Sequence, residues 1–404
     1  MAVANRDFIR EINQFHILNT IRNAGAISRV EISQITGQSR AAVTNITARL
    51  IKENLIYEKE TEDSSLRGRK RMLLALNPEA AYVVGVKLSA FRISCAVTDM
   101  QADVKASVNM PVRTSERPMD FMADLIEEGI RHCVNEARLG LDQISGIGLG
   151  IPGFVDSRSG VCYWTPLYRE KDVPIKELIQ KRFQIETHIE NDTNTVTLAH
   201  QWFGEGKGID NFLVVTIEDG VGMGIVVNGQ LYRGTRGIAG EFGHVVVDQG
   251  GRACRCGKKG CVEAYASNFA IVEEAISAFE KGLWQHDSGS DLRIEEVVTA
   301  AHSGNRILQD IFTKAGAYLG AGLSDLIQIF NPVKIIISGD GVNVGDLMFH
   351  EMHQVIRANT NPEIYDATEI VIQKWRDTDW ARGAASLVLQ ELYKSPFNRV
   401  RPII

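Results

Sequence analysis

Apolar positions in the first 77 residues follow a helical period and then switch to short strand-like runs. Ile9, Ile12, Phe15, Leu18 and Ile21 form a stripe at helical spacing, which predicts a helix over 8–24 with Gly25 as its stop. Ser28-Arg29-Val30-Glu31 reads as a capping box: the hydroxyl takes one free backbone N–H and Glu31 reaches back to another. The short helix it opens ends near Gly37. Ser39 can cap a third helix with Val43, Ile46 and Leu50 inward and Arg40, Thr44 and Asn45 outward. Leu55–Tyr57 and Met72–Leu76 then read as two strands around a polar stretch that ends in Arg67-Gly68-Arg69-Lys70-Arg71. Three short helices followed by a hairpin predict a winged helix-turn-helix. In that geometry the start of the third helix enters the major groove, so Ser39, Arg40, Thr44 and Asn45 face base edges. The cations at Arg67, Arg69, Lys70 and Arg71 around Gly68 suit phosphates or a narrow minor groove.

From Tyr82 the pattern changes to buried strands alternating with longer helices. Tyr82–Val86 and Ile93–Val97 form a strand–turn–strand, a helical stretch over 118–136 follows, and Gly146–Gly150 is a further strand. A second strand–turn–strand, Phe212 to Leu231, repeats the first, and a helix through Ala317 to Ile329 runs into a strand from Val333 to Ile337. The repetition predicts two related α/β lobes around a cleft.

Composition sharpens this picture. The chain is 44% apolar and 23% charged, the balance of a soluble globular protein of two or three domains. No apolar run reaches 18 residues and the N-terminus is polar, so neither a membrane span nor a secretory leader is expected. The net charge of −6 hides two objects. Residues 1–77 hold 12 Lys+Arg against 8 Asp+Glu, and the remainder 32 against 42. A basic module on an acidic body fits a nucleic-acid-binding arm.

Three of the six cysteines crowd into 254–261. With one histidine they give His244-x9-Cys254-x-Cys256-x4-Cys261, a donor set that satisfies tetrahedral zinc and leaves no open position for water. One structural Zn2+ per chain, in a reducing cytoplasm, is the expectation. The ion would tie the segment bearing Glu241 to that bearing Glu263.

Glu190-Asn191-Asp192-Thr193-Asn194, Gly240-Glu241-Phe242-Gly243-His244, and Cys254-Arg255-Cys256 with Gly260-Cys261-Val262-Glu263 resemble the ROK family, which groups sugar kinases with sugar-responsive repressors. The likeness spans nearly the whole chain from Tyr82, and the winged helix is similar to that of the repressor branch. It implies a two-lobed α/β domain of the actin/hexokinase-like (ribonuclease H-like) type behind the mainly α winged helix. It also implies that Asn191, Asp192, Glu241 and Glu263 hold sugar hydroxyls, with His244 close to the ligand. Gly153 in Ile151-Pro152-Gly153 would let backbone approach it.

The same resemblance bears on catalysis. In the kinases the counterpart of Asp192 takes the proton from the attacking hydroxyl, and that residue is present. Yet where ROK kinases carry Asp-x-Gly-Gly-Thr this chain reads Lys87-Leu88-Ser89-Ala90-Phe91, and where they carry Gly-Thr-Gly it places Glu218 and Asp219. Carboxylates a few ångström from phosphate are repelled by about 1 kcal/mol even in water. Both phosphate turns read as independently spoiled, and no enzymatic activity is expected.

The reading is therefore a sequence-specific DNA-binding transcriptional regulator, a repressor in particular, whose operator affinity responds to a sugar or sugar derivative in the cleft. Residues 1–80 would form the DNA-binding domain and 81–404 the ROK domain. Its first lobe would span about 81–195 and its second about 196–380, with a helix over about 381–404 returning to the first. A homodimer or dimer of dimers would meet an imperfect palindrome. Two rivals stand beside it: a ROK sugar kinase carrying a DNA-binding arm, and a repressor controlled by a protein such as a sugar-transport component.

Overall fold

The structure, a computed structural model, describes residues 6–60, 72–112, 117–285, 292–374 and 377–392. The basic run Arg67–Arg71 lies outside the described residues. The N-terminal module contains α1 (Arg6–Ala24), β1 (Ala26–Ser28), α2 (Arg29–Thr36), α3 (Arg40–Lys52), β2 (Ile56–Glu60) and β3 (Met72–Leu76). The capping box forms: the Ser28 side chain accepts from the Glu31 amide, and the Ser28 amide donates to the Glu31 carboxylate at 3.0 Å. Gly37 ends α2 in the left-handed region (φ 68°), which glycine adopts without strain. Sequence reading missed β1, a three-residue strand that pairs antiparallel with β3 and completes a sheet of order β1-β3-β2. Arg29 fixes the three layers together. Its Nε donates to Thr47 Oγ1 on α3 at 3.1 Å and its Nη2 to Glu58 on β2 at 2.8 Å.

The body holds two five-stranded sheets of one topology. The first comprises β4 (Tyr82–Leu88), β5 (Arg92–Thr98), β6 (Val104–Pro111), β7 (Ile144–Ile151) and β10 (Thr187–Asn191). Its spatial order is β6-β5-β4-β7-β10, with β4–β6 antiparallel and β4, β7 and β10 parallel. Helices α4 (Met119–Glu136) and α5 (Ile175–Phe183) and the small ribbon of β8 (Phe154–Asp156) and β9 (Val161–Trp164) intervene. After α6 (Asp192–Phe203), the second sheet repeats the plan with β11 (Phe212–Ile217), β12 (Val221–Val227), β13 (Gln230–Leu231), β14 (Lys334–Ser338) and β15 (Glu369–Ile372), in order β13-β12-β11-β14-β15. Helices α7 (Glu263–Ala266), α8 (Asn268–Glu280), α9 (Ile294–His302), α10 (Arg306–Phe330), α11 (Asp346–Asn359) and α12 (Pro362–Tyr365) cover it. Thus the repeated pattern read from the sequence is a duplicated sheet. No helix among the described residues is long and apolar enough to cross a membrane.

Helix α13 (Asp377–Leu392) returns to the first sheet. It lies so close to β4 and β7 that a Cβ at Gly85 or Gly148 would overlap the carbonyls of Ala381 and Ala384. Its C-terminal half, through Ala385, Val388 and Leu389, joins one apolar cluster with Ile17, Leu18 and Ile21 of α1 and with Trp202 and Phe203 at the end of α6. The guanidinium of Arg22 sits 4.0 Å over the Trp202 ring. Helix α6, about 18 Å long at 1.5 Å per residue, therefore begins at the cleft and ends against the N-terminal module.

His200 on α6 is fully buried, and burial pushes its imidazole down to about 3. The fold thus holds it neutral, while the unfolded chain protonates it near its ordinary value of about 6.5. This stability is complete above about pH 6.5 and is lost as pH falls toward 3, at about 1.4 kcal/mol per pH unit. Urea denaturation between about pH 6 and 5 is expected to show that slope in the parent and to lose about one proton's worth of it in His200→Leu.

Candidate functional site

The cleft is built where β10 hands over to α6. Asn191 caps the helix, its Oδ1 accepting from the Asn194 amide at 3.2 Å while its Nδ2 donates to the Gly153 carbonyl at 3.1 Å. Its side chain is thereby committed at both ends to placing Asp192, the first helical residue. The space at Gly153 is also filled from within: a Cβ there would collide with the Trp164 carbonyl and the Thr165 Cα. The close approach at Gly153 is thus to its own chain. Sequence reading passed over Glu190, which is fully buried. Its Oε1 accepts from the Asn191 amide and Asn194 Nδ2, both at 3.0 Å, and its Oε2 from Arg233 Nε at 2.5 Å. Arg233 follows β13, so this pair ties the second lobe's loop to the Asp192 turn.

Glu241 enters from the second lobe. Gly240 before it has φ 92°, and a Cβ there would strike the Met223 carbonyl, so only glycine lets this loop lie against β12. Glu263 opens α7, with Oε2 accepting from the Val221 amide at 3.2 Å. The carboxylates of Asp192, Glu241 and Glu263 lie within electrostatic reach of one another. Burial first, then Glu263 and Asp192, push the Glu241 carboxyl up to about 7, against the opposing pull of Lys258. Asp192 is also raised, by burial, with Lys87 opposing. Several acceptors converging in a partly dry cleft suit a ligand rich in hydroxyl donors.

The two turns that read as independently spoiled are joined. Lys87 at the end of β4 donates to Glu218 after β11 at 2.9 and 3.0 Å. The lysine side chain is 5% and the glutamate side chain 22% exposed. Asp219 is held differently: its carbonyl accepts from Arg255 Nη2 at 2.6 Å. Arg255, between two cysteines of the cluster, also reaches within 3.7 Å of Glu263. The arginine was visible in the sequence only as part of a basic loop.

His244, Cys254, Cys256 and Cys261 converge, with their four ligand atoms all within 4.8 Å of one another. Cys254 Sγ is 3.7 Å from His244 Nδ1, and Cys256 Sγ is 3.7 Å from Cys261 Sγ. A tetrahedral ion with bonds of about 2.0–2.3 Å needs donor separations of roughly 3.3–3.8 Å, so this donor set can hold a metal ion. The other imidazole nitrogen lies 3.9 Å from a Glu241 carboxylate oxygen, beyond hydrogen-bond distance. The cluster and the cleft therefore adjoin at this residue pair. Behind it, Asp248 accepts from Tyr265 at 2.7 Å and Tyr318 at 3.2 Å, whose rings stack 3.7 Å apart.

On the N-terminal module, Ser39 caps α3 by accepting from the Ala42 amide. Val43, Thr47 and Leu50 are buried, whereas Arg40, Thr44 and Asn45 are exposed on the opposite face. The Thr44 hydroxyl donates back to the Arg40 carbonyl at 2.8 Å.

The chain resembles known proteins over both parts. The MarR family profile matches residues 11–64. The xylose repressor of Caldicellulosiruptor bescii is 26% identical over 401 residues, covering 98% of this chain and 99% of that protein. The Escherichia coli regulator NagC, a DNA-binding transcriptional dual regulator, is 27% identical over 338 residues, 84% of this chain and 82% of its own length. Among solved structures, a ROK family transcriptional regulator homologous to the E. coli MLC protein superposes with a TM-score of 0.81 at 28% identity, covering 96% of this chain and 97% of that one. A ROK family glucokinase from Streptomyces griseus, in complex with glucose and AMPPNP, gives 0.67 at 25% identity over 76% of this chain and 99% of its own. The ROK family profile matches residues 83–391, and the chain belongs to the ROK family.

Proposed function

We propose that the chain is a DNA-binding transcriptional repressor whose operator affinity is set by a sugar in the cleft. Residues 1–80 act as the DNA-binding domain and 81–404 as the two-lobed effector domain. The observation that carries this reading is the course of α6. One end presents Asp192 to an acidic, hydroxyl-accepting cleft, and the other packs Trp202 against Arg22 of the helix-turn-helix module. Asp192, Glu241 and Glu263 accept sugar hydroxyls, with His244 beside them and Asn191 positioning Asp192. The cluster of His244, Cys254, Cys256 and Cys261 holds a structural Zn2+, whose chemistry is to fix the loop carrying Glu241 relative to α7.

Sugar binding shifts α6 against α1 and α13 and so changes how two modules of a homodimer meet an imperfect palindrome. A useful coupling is about 1–3 kcal/mol, or about 5–150-fold in affinity. The test is fluorescence anisotropy of the full chain on its own upstream DNA against random duplex, with and without D-xylose or N-acetylglucosamine, the sugars in the names of a xylose repressor and of an Escherichia coli N-acetylglucosamine repressor 27% identical to this chain. Salt-sensitive preference for the upstream DNA, weakened by one sugar, is expected. Equal affinity for both duplexes sinks the DNA reading, and affinity unmoved by any sugar sinks the effector reading. Coupled ADP release with a hexose panel is expected to give no turnover, because Lys87 and Glu218 fill each other's charge where a kinase would need free phosphate donors.

A further inference from the structure

Lys87 is a deeply buried cation in the cleft floor. It is 4% exposed, it stands on the first sheet, and its ammonium lies 3.6 Å from the centre of the Trp380 ring on α13. Its counter-charge comes from the other lobe, 131 residues away. Glu218 is anchored there by its backbone: its amide donates to the Gly220 carbonyl at 2.9 Å, and its carbonyl accepts from the Asn268 amide at 2.8 Å. Behind the turn, a Cβ at Gly339 or Gly341 would collide with Ile217, so the glutamate sits on a closely packed base. We propose that the Lys87–Glu218 pair is an interlobe latch that holds the two lobes together before any ligand arrives, so that sugar alone finds a preformed cleft.

The physical argument lies in what separation would leave behind. An ammonium drawn from Glu218 would lose the carboxylate it bonds at 2.9 and 3.0 Å and keep the longer-range pull of Asp192 on its own lobe while still lying against the Trp380 indole, a costly change for a buried cation. Glu218 would be left in its packed turn beside Asp340 of its own lobe, where burial first and then that carboxylate disfavour its ionisation. Each partner therefore disfavours the open arrangement, and the pair closes the cleft at a point the sugar carboxylates do not occupy. A ligand's apparent affinity is reduced by the fraction of protein already competent to bind it. A latch that keeps this fraction near one removes the lobe-closing cost from sugar binding. The consequence for sugar rests on the effector reading above, whereas the latch itself does not.

Glu218→Lys places like charges at the same point and is expected to part the lobes. Adding Lys87→Met removes the repulsion and leaves the introduced ammonium facing Asp340 and Asp192, so the double variant should close again. Small-angle X-ray scattering of the ligand-free full chain reads the lobe separation directly. Glu218→Lys should enlarge the radius of gyration, and combining it with Lys87→Met should restore the parental value. Calorimetry with D-xylose and N-acetylglucosamine should show about a fivefold or greater loss of affinity in Glu218→Lys, recovered in the double variant. Should Glu218→Lys not fold, Glu218→Gln removes the charge at constant size and should give the same direction of change. Parental scattering in both Glu218 variants, or no recovery on adding Lys87→Met, overturns the latch. A scattering change in a chain that binds neither sugar supports the latch and overturns the effector reading instead.

Discussion

Cys261→Ser is expected to cost the chain its metal and, with it, sugar binding. Cys261 is fully buried, and it forms a bridge with Val246 on the loop that follows His244. Structural zinc contributes about 10–16 kcal/mol of apparent binding energy in small zinc domains. Without the ion, the segment from 244 to 263 keeps a small apolar cluster around Cys254, Cys261 and Tyr265 and scattered bonds such as those of Asp248 and Arg255, but loses the one centre that joins all four ligand positions. Burial pushes the Cys254 thiol up to about 12, so in the absence of a cation it keeps its proton and makes only weak hydrogen bonds. The loop carrying Glu241 and the start of α7 carrying Glu263 would then lose their fixed relation. Metal analysis should give about one ion per parental chain and well under one for the variant, and calorimetric sugar affinity should fall by about 100-fold or more. DNA binding to random duplex should persist, because the apolar cluster of the N-terminal module draws on α13 and the end of α6 and on no residue of 244–263. A serine variant that retains a full equivalent of metal, or binds sugar as the parent does, would refute the assignment. So would a parental chain containing no metal.

Much of this architecture was legible because it is local. Ser28 and Glu31 are three residues apart, Ser39 precedes its helix directly, and the cysteines of the cluster are separated by one and four residues, so spacing alone announced a capped helix-turn-helix and a donor set able to hold a metal. The opening strand–turn–strand of each half was legible for the same reason, whereas the pairing of β4 with β7 and of β11 with β14 joins distant segments. What sequence reading missed is held by contacts between distant segments. Glu190 meets Arg233 across 43 residues, Arg255 meets Asp219 across 36, and Lys87 meets Glu218 across 131. No periodicity encodes such partners. A lone lysine and a lone glutamate each read as damage to a phosphate turn, and only the fold shows that they neutralise one another. The strand β1 was missed because three residues are too few for an alternating pattern and its pairing depends on β3. Asn191 was read as a ligand residue from its motif, while its amide is engaged in capping α6 and binding Gly153. A motif gives the order of residues along the chain, and only the folded contacts show which side chains are already engaged within the protein.

Arg40→Ala/Asn45→Ala is expected to remove operator preference while leaving the fold intact. Both residues are exposed in the first half of α3, which Ser39 caps and Val43, Thr47 and Leu50 bury. The face is therefore rigid and its long side chains stand free of the core. Thr44 is a weaker reader, since its hydroxyl already donates to the Arg40 carbonyl. A guanidinium matched to guanine or an amide matched to adenine discriminates against the wrong base by about 1–3 kcal/mol each. Losing both should lower affinity for the upstream DNA by about 100-fold, with random-duplex affinity falling about tenfold or less through one lost phosphate-seeking charge. The thermal midpoint should not move, because neither side chain is buried. Ser39→Ala is the contrasting variant. It removes the cap, at about 1 kcal/mol, and should lower stability of the module as well as DNA affinity. Anisotropy titrations on the two duplexes, paired with thermal melts, separate these cases. If the double variant still prefers the upstream DNA by the parental ratio, base readout lies elsewhere on the module and α3 is not the recognition helix.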